Sequence, residues 1–304
     1  MGWRIEFLTG QLWENKAYGH QAVFARYCKR RTEELKIFAR YQHGFTKHPL
    51  WNDSRIRSLV WSDYILKEHK NVGVSNIYAI GAPIIYYSKK SITKNENLNL
   101  RNFSLCVAPH STFNQQKSIF DGEDFKNYFP DYMGGDPLKF YIDKCLEQSS
   151  HQPLVLLFYK DVSNQTIERF NNYGIKTVSL GDGIFNSLIQ ETYFDNMINI
   201  LKAANEVLVC DTNSIWAYSG YLGKHIVAMN NSIFWKNYEY LNSTVVTASG
   251  TEANFFDILM GVSNRKTPEE LLELFGSSSI GQELAHQFEF VKESGKNLMK
   301  KFIG

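Results

Sequence analysis

The sequence predicts an α/β fold with mainly parallel sheets, arranged as two Rossmann-like domains with a cleft between them and a helical C-terminal tail. Three observations carry the prediction. Short apolar, β-rich runs recur along the chain with helical stretches between them. Two of these runs, LVLLFY at 154–159 and VLVC at 207–210, are continuously apolar, as strands buried on both sheet faces are. The length, 304 residues, suits two ordinary domains and needs no disulfide or metal staple.

The elements follow in order. Strands are expected at Arg4–Leu8, Leu35–Tyr41, Ser58–Trp61, Asn76–Ile80, Phe103–Ala108, Leu154–Tyr159, Lys176–Leu180, Glu206–Cys210 and His225–Met229. Asp136-Pro137 opens a helix, and Leu138, Tyr141, Ile142 and Cys145 follow at helical spacing. Phe194, Met197, Ile198 and Leu201 mark another. Thr267-Pro268-Glu269-Glu270 is a capping box, and Gly276 closes its helix. The polar stretch SKKSITKNENLNLR at 88–101 has no periodicity and reads as a linker. The expected domains are therefore an N-terminal α/β domain at 1–95, a Rossmann-like domain at 96–265, and C-terminal helices at 266–304.

Composition narrows the class. Thirty-three Lys plus Arg against 31 Asp plus Glu give a net charge of +2, which argues against a nucleic-acid partner. Cys28, Cys106, Cys145 and Cys210 are widely spaced with no C-x-x-C pair, and free buried thiols in a reducing cytoplasm fit them. No basic n-region with an apolar core opens the chain, and no run reaches the ~18 apolar residues of a membrane span. Aromatic residues make up 14% of the chain.

Four motifs carry chemistry. In QHGFTKHPLW at 42–51, His43 and Gly44 follow an apolar run and belong at the C-terminal end of a strand, where open α/β sheets bind ligands. His43 suits a general base near neutral pH, and Gly44 lets backbone approach a bound group. A local loop histidine is the plain alternative. Gly81-Ala82-Pro83 is a sharp strand exit that either turns the chain or brings backbone to a ligand. In CVAPHSTFN at 106–114, Pro109 ends a strand and His110, Ser111 and Thr112 follow. They form either an anion-binding group or a simple Ser/Thr turn. In EVLVCDTNSIWAYSGYLGKHIVAMNN at 206–231, a buried strand runs into Asp211-Thr212-Asn213-Ser214, then a short helix closed by Gly223. That helix start is a ready anion site or an ordinary N-cap. Ile215, Tyr218, Ser219 and Leu222 form its expected stripe.

Taken together, QHG at 42–44, DTNS at 211–214 and LGKHIV at 222–227 resemble the GT-B superfamily of bacterial surface-polysaccharide transferases, close to the CDP-glycerol-type teichoic-acid transferases. The likeness spans roughly residues 1–265. DTNS stands where that family has D-Y-S-S, and His225 replaces the proline of its K-P pair. The proline–histidine pair at 109–110 is similar instead to CMP-sugar-dependent capsule and lipopolysaccharide transferases. The resemblance implies a glycosyltransferase that moves a sugar from a CMP- or CDP-type nucleotide donor to a glycan or lipid-linked glycan acceptor. It implies metal-independent chemistry with no resident cofactor, the donor held mainly by the 96–265 domain and the acceptor by the 1–95 domain; the cysteines place the chain in the cytoplasm, with a peripheral inner-membrane contact as one reading of its tail. Two alternatives stand beside it: a CDP-polyol-dependent polyol-phosphate transferase, and a non-catalytic glycan- or nucleotide-binding partner.

In this reading 212–214, with His110 and Ser111, hold the leaving phosphate, and His43 is the base. Asp161, at the end of LVLLFYKD, is the alternative base or nucleophile, and Gly181 and Asp182 sit in another cleft loop or a plain turn. Trp51, Tyr86, Tyr87, Phe113, Tyr218 and Tyr221 are expected near the cleft, whereas Trp61 and Trp216 read as core. The stretch at 282–303 mixes Phe288, Phe290, Leu298 and Phe302 with four lysines. It has two readings, a helix packing back on the N-terminal domain and a peripheral contact with an anionic membrane.

Overall fold

A computed structural model describes residues 18–35, 37, 39–42, 57–88, 102–109, 118–121, 124–180, 192–230 and 252–276. The chain divides into two compact units. One comprises Met1–Ser91, Leu188–Phe194 and Asp257–Gly304, and the other Ile92–Ser187 and Asp195–Phe256.

The first unit holds a parallel sheet of β1 (Arg40–Tyr41), β2 (Ser58–Val60) and β3 (Ile77–Ala79) in that order. Its helices are α1 (His20–Tyr27), α2 (Asp63–Asn71) and α3 (Pro83–Tyr86). Ser62 starts α2 by accepting the Ile65 N–H, and Pro83 occupies the first turn of α3. Phe24 of α1 is the hub of the core, with ring centroids 5.2 Å from Tyr41, 5.2 Å from Tyr86 and 5.0 Å from Phe275. Residues late in the chain thus complete a core begun at residue 20. The Arg57 guanidinium also donates to the carbonyls of Glu273 and Leu274.

The second unit holds five parallel strands: β4 (Phe103–Val107), β5 (Gln152–Leu157), β6 (Lys176–Ser179), β7 (Glu206–Val209) and β8 (His225–Ala228). Their order is β6-β5-β4-β7-β8. The chain winds outward from β4 to one side, returns, and winds outward from β7 to the other, as doubly wound α/β sheets do. Burial follows position. β4 and β7 are buried along their whole length, while the outer strands β6 and β8 are half-exposed. That is why the central runs are continuously apolar and the outer ones are not.

Connecting helices include α4 (Phe125–Tyr128), α5 (Pro137–Gln148), α6 (Asn164–Asn171), α7 (Tyr193–Ala203) and α8 (Ser214–Tyr221). The Asp136 carboxylate accepts the N–H groups of Leu138 and Lys139 at the start of α5, and Leu138, Tyr141, Ile142 and Cys145 are its buried face. Two further helices are α9 (Glu252–Met260) and α10 (Pro268–Leu274). Thr267 and Glu270 form the expected reciprocal capping box at α10, and Gly276 after it adopts a φ of 75°.

Four expectations need correction. Of the strand expected at Leu35–Tyr41, Arg40–Tyr41 forms β1, the two residues that pair with β2. The fifth strand is Gln152–Leu157 rather than 154–159, because Tyr159–Asp161 winds into a 3₁₀ turn held through Asp161. α8 buries Trp216, Ala217, Tyr218 and Ser219, four consecutive residues that run round the helix, so Tyr218 and Ser219 of the expected stripe are buried while Ile215 and Leu222 are only partly so. Phe256 packs on this helix, 5.5 Å from Trp216 and so close to Gly220 that a Cβ there would fall 2.1 Å from its ring. Tyr86 and Tyr218 are core residues like Trp61 and Trp216, all four buried. Much of the aromatic excess lies on one face of the larger sheet, where Phe120, Phe125, Phe129, Tyr132, Tyr141 and Phe170 form a contiguous cluster. Trp51, Phe113, the 89–101 part of the linker and the tail at 282–303 lie outside the described residues.

Candidate functional site

The strand order makes one place in the second unit special. β4 and β7 are neighbours, with Val107 opposite Val209, yet their connections leave in opposite directions. The C-terminal ends of β4 and β7 therefore form the topological switch point, where doubly wound sheets take ligands. The segment beyond β4 begins Ala108-Pro109, and the segment beyond β7 is Cys210-Asp211-Thr212-Asn213. The fold thus brings two of the sequence motifs, separated by about a hundred residues, onto adjacent strands.

The turn after β7 is tightly organised. Asn213 is the N-cap of α8, its Oδ1 accepting the Trp216 N–H at 3.0 Å. Its Nδ2 donates to Asp211 Oδ1 at 2.5 Å, which fixes the amide orientation. Asp211 and Thr212 are buried. Ser214 and Ile215 open the first helical turn, whose N–H groups have no intrahelical acceptor and point toward the positive end of the helix dipole. Such a terminus favours an anion.

Across β4 lies the end of β5. Asp161 is 1% exposed. Its Oδ1 accepts the Ser118 hydroxyl at 2.8 Å and the Ile119 N–H at 2.9 Å, which holds the 118–121 turn to the sheet edge. Asn230, beyond β8, donates to the carbonyls of Tyr128 and Cys210. The segment 118–128 is therefore fastened to the edge at two points. Between them, burial pushes the Tyr128 phenol up, and the carboxylates of Asp211, Asp124 and Asp161 push it the same way. Asp161 and Asp211 thus share one electrostatic neighbourhood around Tyr128.

The remaining expected site residues are placed as follows. Gly81 lies in the first unit, on the other sheet. Its φ is 87°, its N–H donates to the Trp61 carbonyl at 2.8 Å, and its carbonyl accepts the Tyr41 hydroxyl at 2.8 Å. His43, Gly44, His110, Ser111, Thr112, Gly181 and Asp182 lie outside the described residues. Among the described residues no group of three or more His, Cys, Asp or Glu side chains could hold a metal ion, and no helix is long and apolar enough to cross a membrane.

Sequence reasoning missed three features. His20 is the buried first residue of α1, 5.3 Å from the Tyr41 ring and 6.3 Å from that of Phe194, at the C-terminal end of β1. The dipeptide Gly19-His20 before a helical run was its only signal. Phe158 and Tyr159 are half-buried at the end of β5, with ring centroids 4.4 Å apart. They were absorbed into the apolar strand pattern. Glu206 opens β7 at the opposite edge of the sheet and is 3% exposed. An acid at a strand start carries no sequence sign of burial.

Comparison with family models, with curated proteins and with solved structures returns no match.

Proposed function

We propose that the chain is a GT-B-type glycosyltransferase that moves a sugar from a nucleotide-activated, CMP- or CDP-type donor to a glycan acceptor of a bacterial surface polysaccharide. The observation that carries the reading is that β4, which runs into Ala108-Pro109, lies beside β7, which runs into 211–214, at the topological switch point of the second unit. There the start of α8 takes the donor phosphates. Backbone N–H groups and the helix dipole stabilise the charge that builds on the leaving phosphate as the glycosidic bond breaks. Thr212 and Ser214 add hydroxyls to the same turn. His43 removes the proton from the acceptor hydroxyl, with Asp161 as the alternative carboxylate. No step in this reading needs a resident cofactor.

A thermal-shift panel of CMP, CDP, UDP and GDP tests it. CMP or CDP should raise the melting temperature by several degrees at millimolar concentration, since a ligand that binds only the folded state stabilises it by mass action. A panel in which no nucleotide moves the transition defeats the reading.

A further inference from the structure

The half-buried aromatic pair at the end of β5 has no part in the chemistry above. Phe158 follows the strand and Tyr159 opens the 3₁₀ turn that ends in Asp161, on the same sheet edge as the start of α8. The Tyr159 hydroxyl oxygen is buried although the residue as a whole is half-exposed. What Tyr159 presents to solvent therefore excludes its polar tip. The neighbouring Phe158 ring, 4.4 Å away at 60°, is wholly apolar. Aromatic carbon held at the ligand edge of a parallel sheet suits a flat π face better than a phosphate or a free hydroxyl.

Its position sets what that face can be. β5 and β7 flank β4 on either side, so the pair lies two strand spacings, about 10 Å, from the anion-binding helix start. A nucleoside phosphate separates its base from its phosphate by a comparable span, with the ribose between. Resting on the nucleotide-donor reading, we infer that Phe158 and Tyr159 form the stacking wall for the nucleobase of a nucleoside phosphate whose phosphate sits at the start of α8.

Calorimetric titration of the full chain with CMP, UMP, GMP, AMP and ribose 5-phosphate tests the inference. The tightest of the four nucleotides should bind wild type at least tenfold more strongly than ribose 5-phosphate, which has the phosphate and sugar but no base. Tyr159→Leu should weaken that nucleotide about ten- to a hundred-fold, the usual loss when a base loses its aromatic partner. It should leave ribose 5-phosphate within about twofold. Tyr159→Phe should bind like wild type, since the ring and not the hydroxyl is used. Phe158→Leu repeats the test should Tyr159→Leu fail to fold, and the wild-type comparison needs no variant. Equal affinity for ribose 5-phosphate and the best nucleotide overturns the stacking wall and leaves the transferase reading standing. So does a nucleotide affinity unchanged in both leucine variants, or an equal loss for ribose 5-phosphate. Wild type that binds none of the five compounds overturns both.

Discussion

The two edges of the five-stranded sheet are built from the same strands and are fastened differently. At the N-terminal edge Glu206 is buried, and its carboxylate accepts from the Ser104 hydroxyl at 2.5 Å, the Ser150 N–H at 2.7 Å and the Ser150 hydroxyl at 3.1 Å. The His225 ring nitrogen lies 3.4 Å away. Its partners come from β4, β8 and the turn before β5, so the acid ties four segments together. At the C-terminal edge Asn213 donates to Asp211, two residues back, and accepts from the Trp216 N–H, three residues on. One edge spends its polar groups on itself, across long sequence separations. The other fastens the 118–121 turn through Asp161, and only the bonding around the α8 start stays local. The lesson is that buried acids close both edges, Glu206 at one and Asp161 at the other, and that the α8 start is set apart by the short range of its bonds.

The sharpest way to break this contrast is Glu206→Ala. Ser104 and Ser150 would lose their shared acceptor inside the protein, and the unfolding free energy should drop by about 3 kcal/mol in urea titrations. Nucleotide binding by the remaining folded protein should stay unchanged, because the other edge is untouched. The same residue gives a pH signature. Burial alone would raise the Glu206 pKa, but the hydrogen bonds from Ser104, Ser150 and His225 outweigh it and hold the carboxyl below its ordinary value. A depressed carboxylate contributes stability that is complete above the unfolded pKa, about 4.3, and is lost as pH falls through the folded value. Urea midpoints measured from pH 7 down to pH 3 should fall less steeply for Glu206→Gln than for wild type. Parallel acid limbs would show that Glu206 does not close the edge.

How much of this was legible in the sequence depends on where the information lies. The five strands of the second unit were readable, because burial on both faces writes continuous apolar runs, and their ends moved by no more than two residues. Those shifts occur where a single side chain decides, as Asp161 does for the turn after β5. The α8 start was readable because an Asx cap is local chemistry. Glu206 was not, since its partners stand 19 to 102 residues away in the chain. The aromatics were misplaced for a related reason. Composition counts rings but does not say which face of a sheet they cover, and Tyr86 and Tyr218 are turned inward by the helices that carry them. The first unit was the less legible half. Its ladders are two or three residues long, and its core is finished by Phe275 from the far end of the chain.

At the ligand edge the next largest effect is expected from Ser214→Glu. An acid in the first turn of α8 interacts favourably with the helix dipole, so stability should hold or rise by up to about 0.5 kcal/mol. The same charge occupies the proposed phosphate position, so affinity for CMP or CDP should fall at least tenfold in calorimetric titration. Asn213→Ala should act the other way. Removing the cap from the Trp216 N–H costs about 1 kcal/mol of stability, while Asn213→Ser should recover most of it. A Ser214→Glu variant that binds nucleotide normally would erase the functional half of the comparison.

The smallest effect tests whether closure at the N-terminal edge depends on its one exposed member. His225 approaches Glu206 at 3.4 Å, and its side chain is 48% exposed, whereas the Glu206 side chain is 4% exposed. Water can replace the imidazole at that carboxylate oxygen, and the bonds from Ser104 and Ser150 remain. An ion pair so open to solvent contributes little even when the histidine is charged. His225→Ala should therefore change the urea midpoint by an amount equivalent to less than about 0.5 kcal/mol at pH 7. Adding salt should shrink the difference further. A loss approaching that of Glu206→Ala would mean that the histidine, not the two serines, holds the acid in place. The edge would then be a charge pair rather than a hydroxyl-lined socket.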